Sequence, residues 1–195
     1  MSGANESARV VRVVFKEIVT GDRRKFFAQS NDAKTGGGAR DLRFSPASTF
    51  KAAFERMCPN TTTEMRKRKK QMVQTTVRIG TMAWSDAAGP HTQEFSVESP
   101  TDARGFEWRI ATVHKYPPLR QNLAPESERT VLLLIQREDG NIWPHFATED
   151  ELRLPDWDED VASPILQALE ETAEIGPAGT RKNIAKGYIE LEEPK

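Results

Sequence analysis

Residues 130–146 read TVLLLIQREDGNIWPHF, and the reading of this stretch decides the fold class. Its first seven positions, Thr130–Gln136, are the most apolar run in the chain and have the character of a strand buried on both faces. Glu138-Asp139-Gly140-Asn141 follows, with the Asp-Gly pair that favours a tight hairpin turn. Ile142–Phe146 is then the return strand. Pro144 has no N–H to donate, so that strand is expected at an edge or a bulge.

Working outward, Arg9–Ile18 (RVVRVVFKEI) is rich in β-branched residues and predicts a strand. RRKFFAQS at 23–30 is expected to be a second strand, and NDAKTGGGARD at 31–41 a loop. Leu42–Phe44 restarts a strand. A helix is expected from Pro46-Ala47-Ser48 through Met57, with Phe50 and Phe54 four apart on one face. Beyond the highly charged stretch Glu64–Gln71, strands are expected at Val73–Met82, Gln93–Val97 and Trp108–Val113, with a turn over Ala83–Gly89. Thr148 with three acids after it has the pattern of a helix cap, and Val161–Ala173 is an amphipathic helix. GPAGTRKNIAKGYIEL at 176–191 reads as a turn and then a last strand or helix. No fixed-period repeat is visible. This order does not suit a doubly wound parallel sheet; it suits one mainly-β domain, a barrel or strongly twisted sheet with two or three helices.

The 195 residues include one cysteine, Cys58, which excludes an internal disulfide framework and fits a reducing cytoplasm. No apolar run reaches the ~18 residues of a membrane helix, the polar opening MSGANESAR is not expected to act as a secretory leader, and no membrane partner is expected. The net charge of −1 conceals a division. Residues 1–120 hold 21 Lys and Arg against 12 Asp and Glu, whereas residues 121–195 hold 7 against 17. A basic face and an acidic face would follow, the basic one suited to a polyanion.

Catalytic patterns are weak. His91, His114 and His145 lie far apart, and neither His-x-x-x-His nor a cysteine pair is present, so neither a metal site nor a cofactor is expected. Asp32-Ala33-Lys34, with Asp22 as partner, is the nearest approach to a magnesium nuclease motif, but it falls in a glycine loop rather than on a strand. The acidic run DWDED at 156–160 reads as a solvated helix entrance. The Gly36-Gly37-Gly38 loop lacks the Gly-Lys-Ser/Thr of a nucleotide cradle. Its other residues, Ser30, Asn31, Asp32, Lys34, Thr35 and Arg40, are of the kinds that contact base edges and phosphates.

At this loop, FFAQSNDAKTGGGARDLRFSP resembles a segment of the amino-terminal effector domain of EcoRII-type restriction endonucleases, with its Ser-x-Asn-Asp and Thr-Gly-Gly pattern. The likeness continues in order through FEWRIATV, PPLRQNLAPESERTVLLLI, EDGNIWPHFATEDE and IGPAG, over roughly residues 15–180. The resemblance implies a seven-stranded open pseudobarrel, the fold shared with plant B-three transcription-factor domains, that grips double-stranded DNA with two arms. It places the first arm at Lys25 and at Gln29 through Arg40, with Ser30, Asn31, Asp32, Lys34, Thr35, Gly36 and Gly37 within it. It places the second at Ser99 through Arg109, with Arg104, Glu107 and Arg109 as its polar side chains. Gly38-Ala39-Arg40 departs from the relative's polar stretch, so base preference does not transfer, and no counterpart of the relative's nuclease domain is expected within these 195 residues, so cleavage does not transfer either. Arg66, Lys67, Arg68, Lys69 and Lys70 lie outside both arms and offer supplementary phosphate contacts. The expectation is a sequence-recognising duplex-DNA-binding domain without catalysis of its own, free-standing or beside a separate nuclease or effector subunit of a restriction or regulatory system. The rival readings are a dimeric magnesium-dependent nuclease, and an interaction subunit of a restriction or defence complex that docks through helix 161–173.

Overall fold

The computed structural model describes residues 8–27, 40–68, 71–101, 106–172 and 183–191. Strand β1 (Val10–Ile18) leads into helix α1 (Thr20–Phe26), then β2 (Leu42–Phe44) and helix α2 (Ala47–Met57). Strands β3 (Asn60–Arg68), β4 (Gln71–Asp86), β5 (Gly89–Glu98) and β6 (Trp108–Ile110) follow, then two 3₁₀ turns, Val113–Lys115 and Pro117–Arg120. Strands β7 (Thr130–Arg137) and β8 (Asn141–Thr148), helices α3 (Glu149–Leu152) and α4 (Glu159–Glu171), and strand β9 (Lys186–Glu190) complete the chain.

The nine strands of the described residues join one curled, open sheet, a half-barrel, in the order β2-β6-β5-β4-β8-β7-β1-β9, with β3 paired to β4. The expected mainly-β class is therefore present, with nine strands where seven were expected. β7 lies inside the sheet between β8 and β1, and its alternate residues serve two cores. Leu132 and Leu134 face the concave side, packed with Phe26, Phe44, Phe50, Phe54, Ile142 and Phe146. Val131 and Leu133 face the convex side beneath Val161, Ile165 and Leu169 of α4. Burial on both faces explains why the run 131–135 shows no polar alternation. Pro144 sits opposite Leu134 on β8, beyond the two residues, Asn141 and Ile142, that pair with β4, so its missing N–H breaks no described ladder.

Three local expectations are corrected. Residues 23–26 belong to helix α1, because Phe26 must turn inward to meet Phe146 edge-on, ring centroids 5.5 Å apart, while Phe27 stays exposed. β4 runs through the expected turn at Ala83 and reaches Asp86, held by ten cross-strand partners on β5. β6 stops at Ile110, since Thr112 takes a left-handed conformation (φ 51°) that a strand does not accommodate. The charged stretch 64–68, unassigned from sequence, is the second half of β3.

Arg129 fastens the acidic helices to the sheet. Its guanidinium reaches both Glu17 oxygens (3.1 and 3.2 Å), Glu149 (3.2 Å) and the carbonyl of Leu169 (3.0 Å). Thr148 and Glu151 form a reciprocal capping box at the start of α3, as the sequence suggested. No helix among the described residues is long and apolar enough to cross a membrane.

Candidate nucleic-acid interface

Of the site residues named from sequence, the described ones lie on α1, on β3, beside β2 and on or beside β6, and their circumstances differ. Gln29, Ser30, Asn31, Asp32, Lys34, Thr35, Gly36, Gly37 and Arg104 lie outside the described residues, as do Lys69 and Lys70. What can be placed is the ground from which their segments spring.

Lys25 donates to Asp22 at 2.7 Å, and Lys16 holds the other oxygen of the same carboxylate. Asp22 and Lys16 are both buried, and desolvation holds the Lys16 ammonium below its ordinary range against the pull of Asp22. Lys25 thus enters any anion contact already engaged. Asp22, the carboxylate that a magnesium site would pair with Asp32, has two ammonium groups on its oxygens. Among the described residues no three His, Cys, Asp or Glu groups converge as metal ligands. Cys58 is buried, and burial pushes its thiol up to about 12, so it is no nucleophile.

On the carboxyl side of the first segment, Arg40 leads into Asp41, which is buried and accepts from the backbone N–H of Thr112 at 3.3 Å. Close to this root stand Lys115 and Arg120 on the two 3₁₀ turns, with His114 between. Burial first, then the positive charges of Arg40, Lys115 and Arg120, holds the His114 imidazole below its ordinary value. All three cations act on His114, and only Arg40 was named from sequence. Lys115 and Arg120 escaped notice because a proline-rich loop carries no periodicity to say where its side chains go.

The second segment ends at Phe106, exposed and with φ 55°. Glu107 lies 3.3 Å from Arg109 and 3.6 Å from Arg43. Arg109 is buried, 3.9 Å from Asp41, opposite Arg43 on β2 and Glu98 on β5. Desolvation, then repulsion from Arg43, lowers its pKa from the usual arginine value. Arg109 is therefore a bracket inside an ion network, and Arg43, nearly half exposed, is the cation that this network presents outward.

β2 and β6 run antiparallel, Leu42 opposite Ile110 and Phe44 opposite Trp108. The first segment precedes β2 and the second precedes β6, so their roots stand at opposite ends of one strand pair. Only about 7 Å of strand rise separates the two starts.

The third basic element is the β3–β4 hairpin. Its register is unbroken from Asn60↔Ile79 to Arg68↔Gln71. β5 joins β4 only from Val77 onward, so residues 63–68 and 71–76 form a two-stranded ribbon without a third strand. Arg66 binds Glu64 at 2.7 Å and lies 3.8 Å from Glu98, which ties the ribbon to the network around Arg109. The N–H of Ser99, at the start of the second segment, donates to the carbonyl of Thr76 at 2.9 Å. The ribbon base and the second arm's root are thus one piece of structure. The acidic helices lie elsewhere: residues 149–171 hold nine carboxylates and one arginine, on the β7, β1 and β9 half of the sheet.

Comparison of the chain with protein-family models, with curated proteins and with solved structures gave no match.

Proposed function

We propose that this protein binds double-stranded DNA through the β2–β6 end of its sheet, with no chemistry of its own. One observation carries the reading: the cations named here stand at the β2–β6 half of the sheet, and the acidic helices α3 and α4 pack on the other half. Arg40, Lys115 and Arg120 surround His114 beside one root, Arg43 and Arg66 stand near the other, and Arg66–Arg68 end strand β3 of the ribbon. Arg129 holds helices α3 and α4 on the other half of the sheet, through the Glu149 carboxylate and the Leu169 carbonyl. A polyanion would meet the first half and be repelled by the second. The seven-stranded pseudobarrel and two-armed grip implied by the resemblance belong to this proposal, with Lys25 and Gln29 through Arg40 as one arm and Ser99 through Arg109 as the other. Arg40 and Arg104 would read base edges, and Lys115, Arg120 and Arg43 would hold phosphates. Arg109 would position Arg43 and Glu107 rather than touch a base.

The test is fluorescence anisotropy of a labelled duplex pool with the full chain, repeated from about 50 to 200 mM salt. Binding that weakens steeply with salt, and weakens further in Lys115→Gln with Arg120→Gln, is the expected result. No binding at the lowest salt would overturn the proposal. Cutting of plasmid with magnesium would favour the nuclease reading instead.

A further inference from the structure

The β3–β4 ribbon has two unlike faces. In β3, Thr61, Thr63 and Met65 are exposed while Thr62, Glu64 and Arg66 are half-buried. In β4, Met72, Gln74 and Thr76 are exposed, whereas Val73 is half-buried and Thr75 and Val77 are buried. The register joins these sets: Thr63 faces Thr76 and Met65 faces Gln74, while Met72 is paired along the backbone with Lys67. Alternation along β4 puts Met72, Gln74 and Thr76 on the face that, further on, carries Gly80 and the core residue Met82. Helix α2 covers that face at Arg78, through Glu55 (3.0 Å), and at Gly80, against the carbonyl of Met57. Past Arg78 the helix has ended its cover, and among the described residues the same face is exposed at Thr76, Gln74 and Met72.

A bare strand face next to a core is ordinarily a liability, and exposed Met65 and Met72 (58% and 57%) are two of the five large exposed hydrophobics among the described residues. Here they sit among hydroxyls and an amide. None of the six residues on the face is a carboxylate, and the strands converge on a run of five cations. From this we infer that the ribbon is a third recognition element, which lays its exposed face into the major groove of duplex DNA. The inference rests on the DNA-binding reading and gives the same interface a further specificity-determining part.

The dimensions agree. Two strands about 4.8 Å apart form a ribbon that a groove ~12 Å wide admits, and five residue steps beyond the third strand give ~17 Å of reach. The chemistry agrees as well. Thr63, Thr76 and Gln74 donate and accept at base edges, while the methionine side chains pack on thymine methyl groups. Arg66, held by Glu64 and Glu98, keeps its charge on the reverse face, so the groove side reads bases and the tip holds phosphates. The deep, narrow major groove of an RNA duplex would not accept such a ribbon, and without aromatic side chains the face offers single strands no stacking platform.

The experiment begins with the full chain and a random duplex pool, from which a preferred site is selected. Three variants then bind that site: the outer-face pair Met65→Ser with Met72→Ser, the polar pair Thr63→Ala with Gln74→Ala, and the tip pair Lys67→Gln with Arg68→Gln. Expected for both outer-face pairs is a loss of about ten- to a hundredfold at the selected site, little loss on unrelated duplex, and an unchanged salt slope. Expected for the tip pair is equal weakening on all duplexes, with a salt slope lower by about two. Thymine-to-uracil replacement in the site should cost the parent affinity and the methionine variant nothing. Thermal unfolding midpoints equal to the parent's certify that all three pairs are folded. If the parent binds duplex DNA and the outer-face variants select the same site with the same affinity, the ribbon inference fails and the DNA reading survives. If the parent binds RNA duplex of the same sequence equally well, the groove assignment fails. If the parent binds no duplex at all, both readings fall together.

Discussion

The β7–β8 and β3–β4 hairpins obey the same antiparallel pairing rules and adjoin in the sheet, where β4 meets β8, yet they spend their side chains in opposite ways. In β7, residues Val131–Leu134 are all buried, two of them on each side of the sheet. In β3, nothing from Asn60 to Arg66 is buried, and the strand exists because β4, paired with it at nine positions, holds it in register. One hairpin supplies stability and offers little surface; the other offers surface and borrows its stability. Separating the two quantities by mutation is the way to break or sharpen that contrast.

The largest loss is expected where the apolar hairpin is fastened to its cover. Arg129→Met removes the guanidinium that sits on both oxygens of Glu17, a carboxylate only 3% exposed, and should cost ~3–5 kcal/mol in denaturant unfolding. The charge left behind is the cause, so Arg129→Met combined with Glu17→Gln should recover part of the loss. Next comes Leu133→Ala, which empties a fully buried position between β7 and α4 and should cost ~2–5 kcal/mol. A loss below ~1 kcal/mol would mean that α4 settles into the space, and that the convex core is softer than its burial implies.

Gly80 stands where the borrowing occurs. It is the point at which β4 passes under the end of α2, and a Cβ there would come within 2.7 Å of the Met57 carbonyl and 3.1 Å of the Cys58 sulfur. The carbonyl belongs to a helix backbone and cannot swing aside, so Gly80→Ala should cost ~1–3 kcal/mol. Because β4 carries the ribbon, the loss should come with faster amide exchange in β3 than in β7. Equal acceleration in both would show that the hairpins do not differ in local stability.

The same contrast explains what could be read in the sequence. Strands that bury side chains announce themselves: Arg9–Ile18, Thr130–Gln136, the Phe50/Phe54 helix and the Val161–Leu169 helix were all legible from burial patterns. β3 was not, since NTTTEMRKR has no apolar period, and its strand character comes from β4 alone. Helix α1 was missed because RRKFF carries a single inward residue, Phe26, too few to define a period. At the candidate site, residue type was legible and setting was not. Arg109 and Arg43 are both arginines on facing strands, but the buried Asp41 and Glu98 that draw one inward come from distant stretches of chain. Lys115 and Arg120 join Arg40 only through a turn geometry that no local pattern encodes.

The smallest effect on stability is expected from Thr63→Ala with Thr76→Ala, and it is the most discriminating. The two threonines are direct cross-strand partners, and such pairs contribute roughly 0.2–1 kcal/mol where the sheet shields them. Both are exposed here, so water competes for their hydroxyls and the double variant should lose less than ~0.5 kcal/mol. If the ribbon face is surface kept for a partner, this nearly silent pair should still alter which duplexes are retained from a mixed pool. A loss above ~2 kcal/mol would instead mean that the face is covered within the protein and is structural like β7, and the distinction between the two hairpins would vanish. The unfolding curve and the retention profile, measured on the same preparation, therefore place the β3–β4 ribbon on one side or the other.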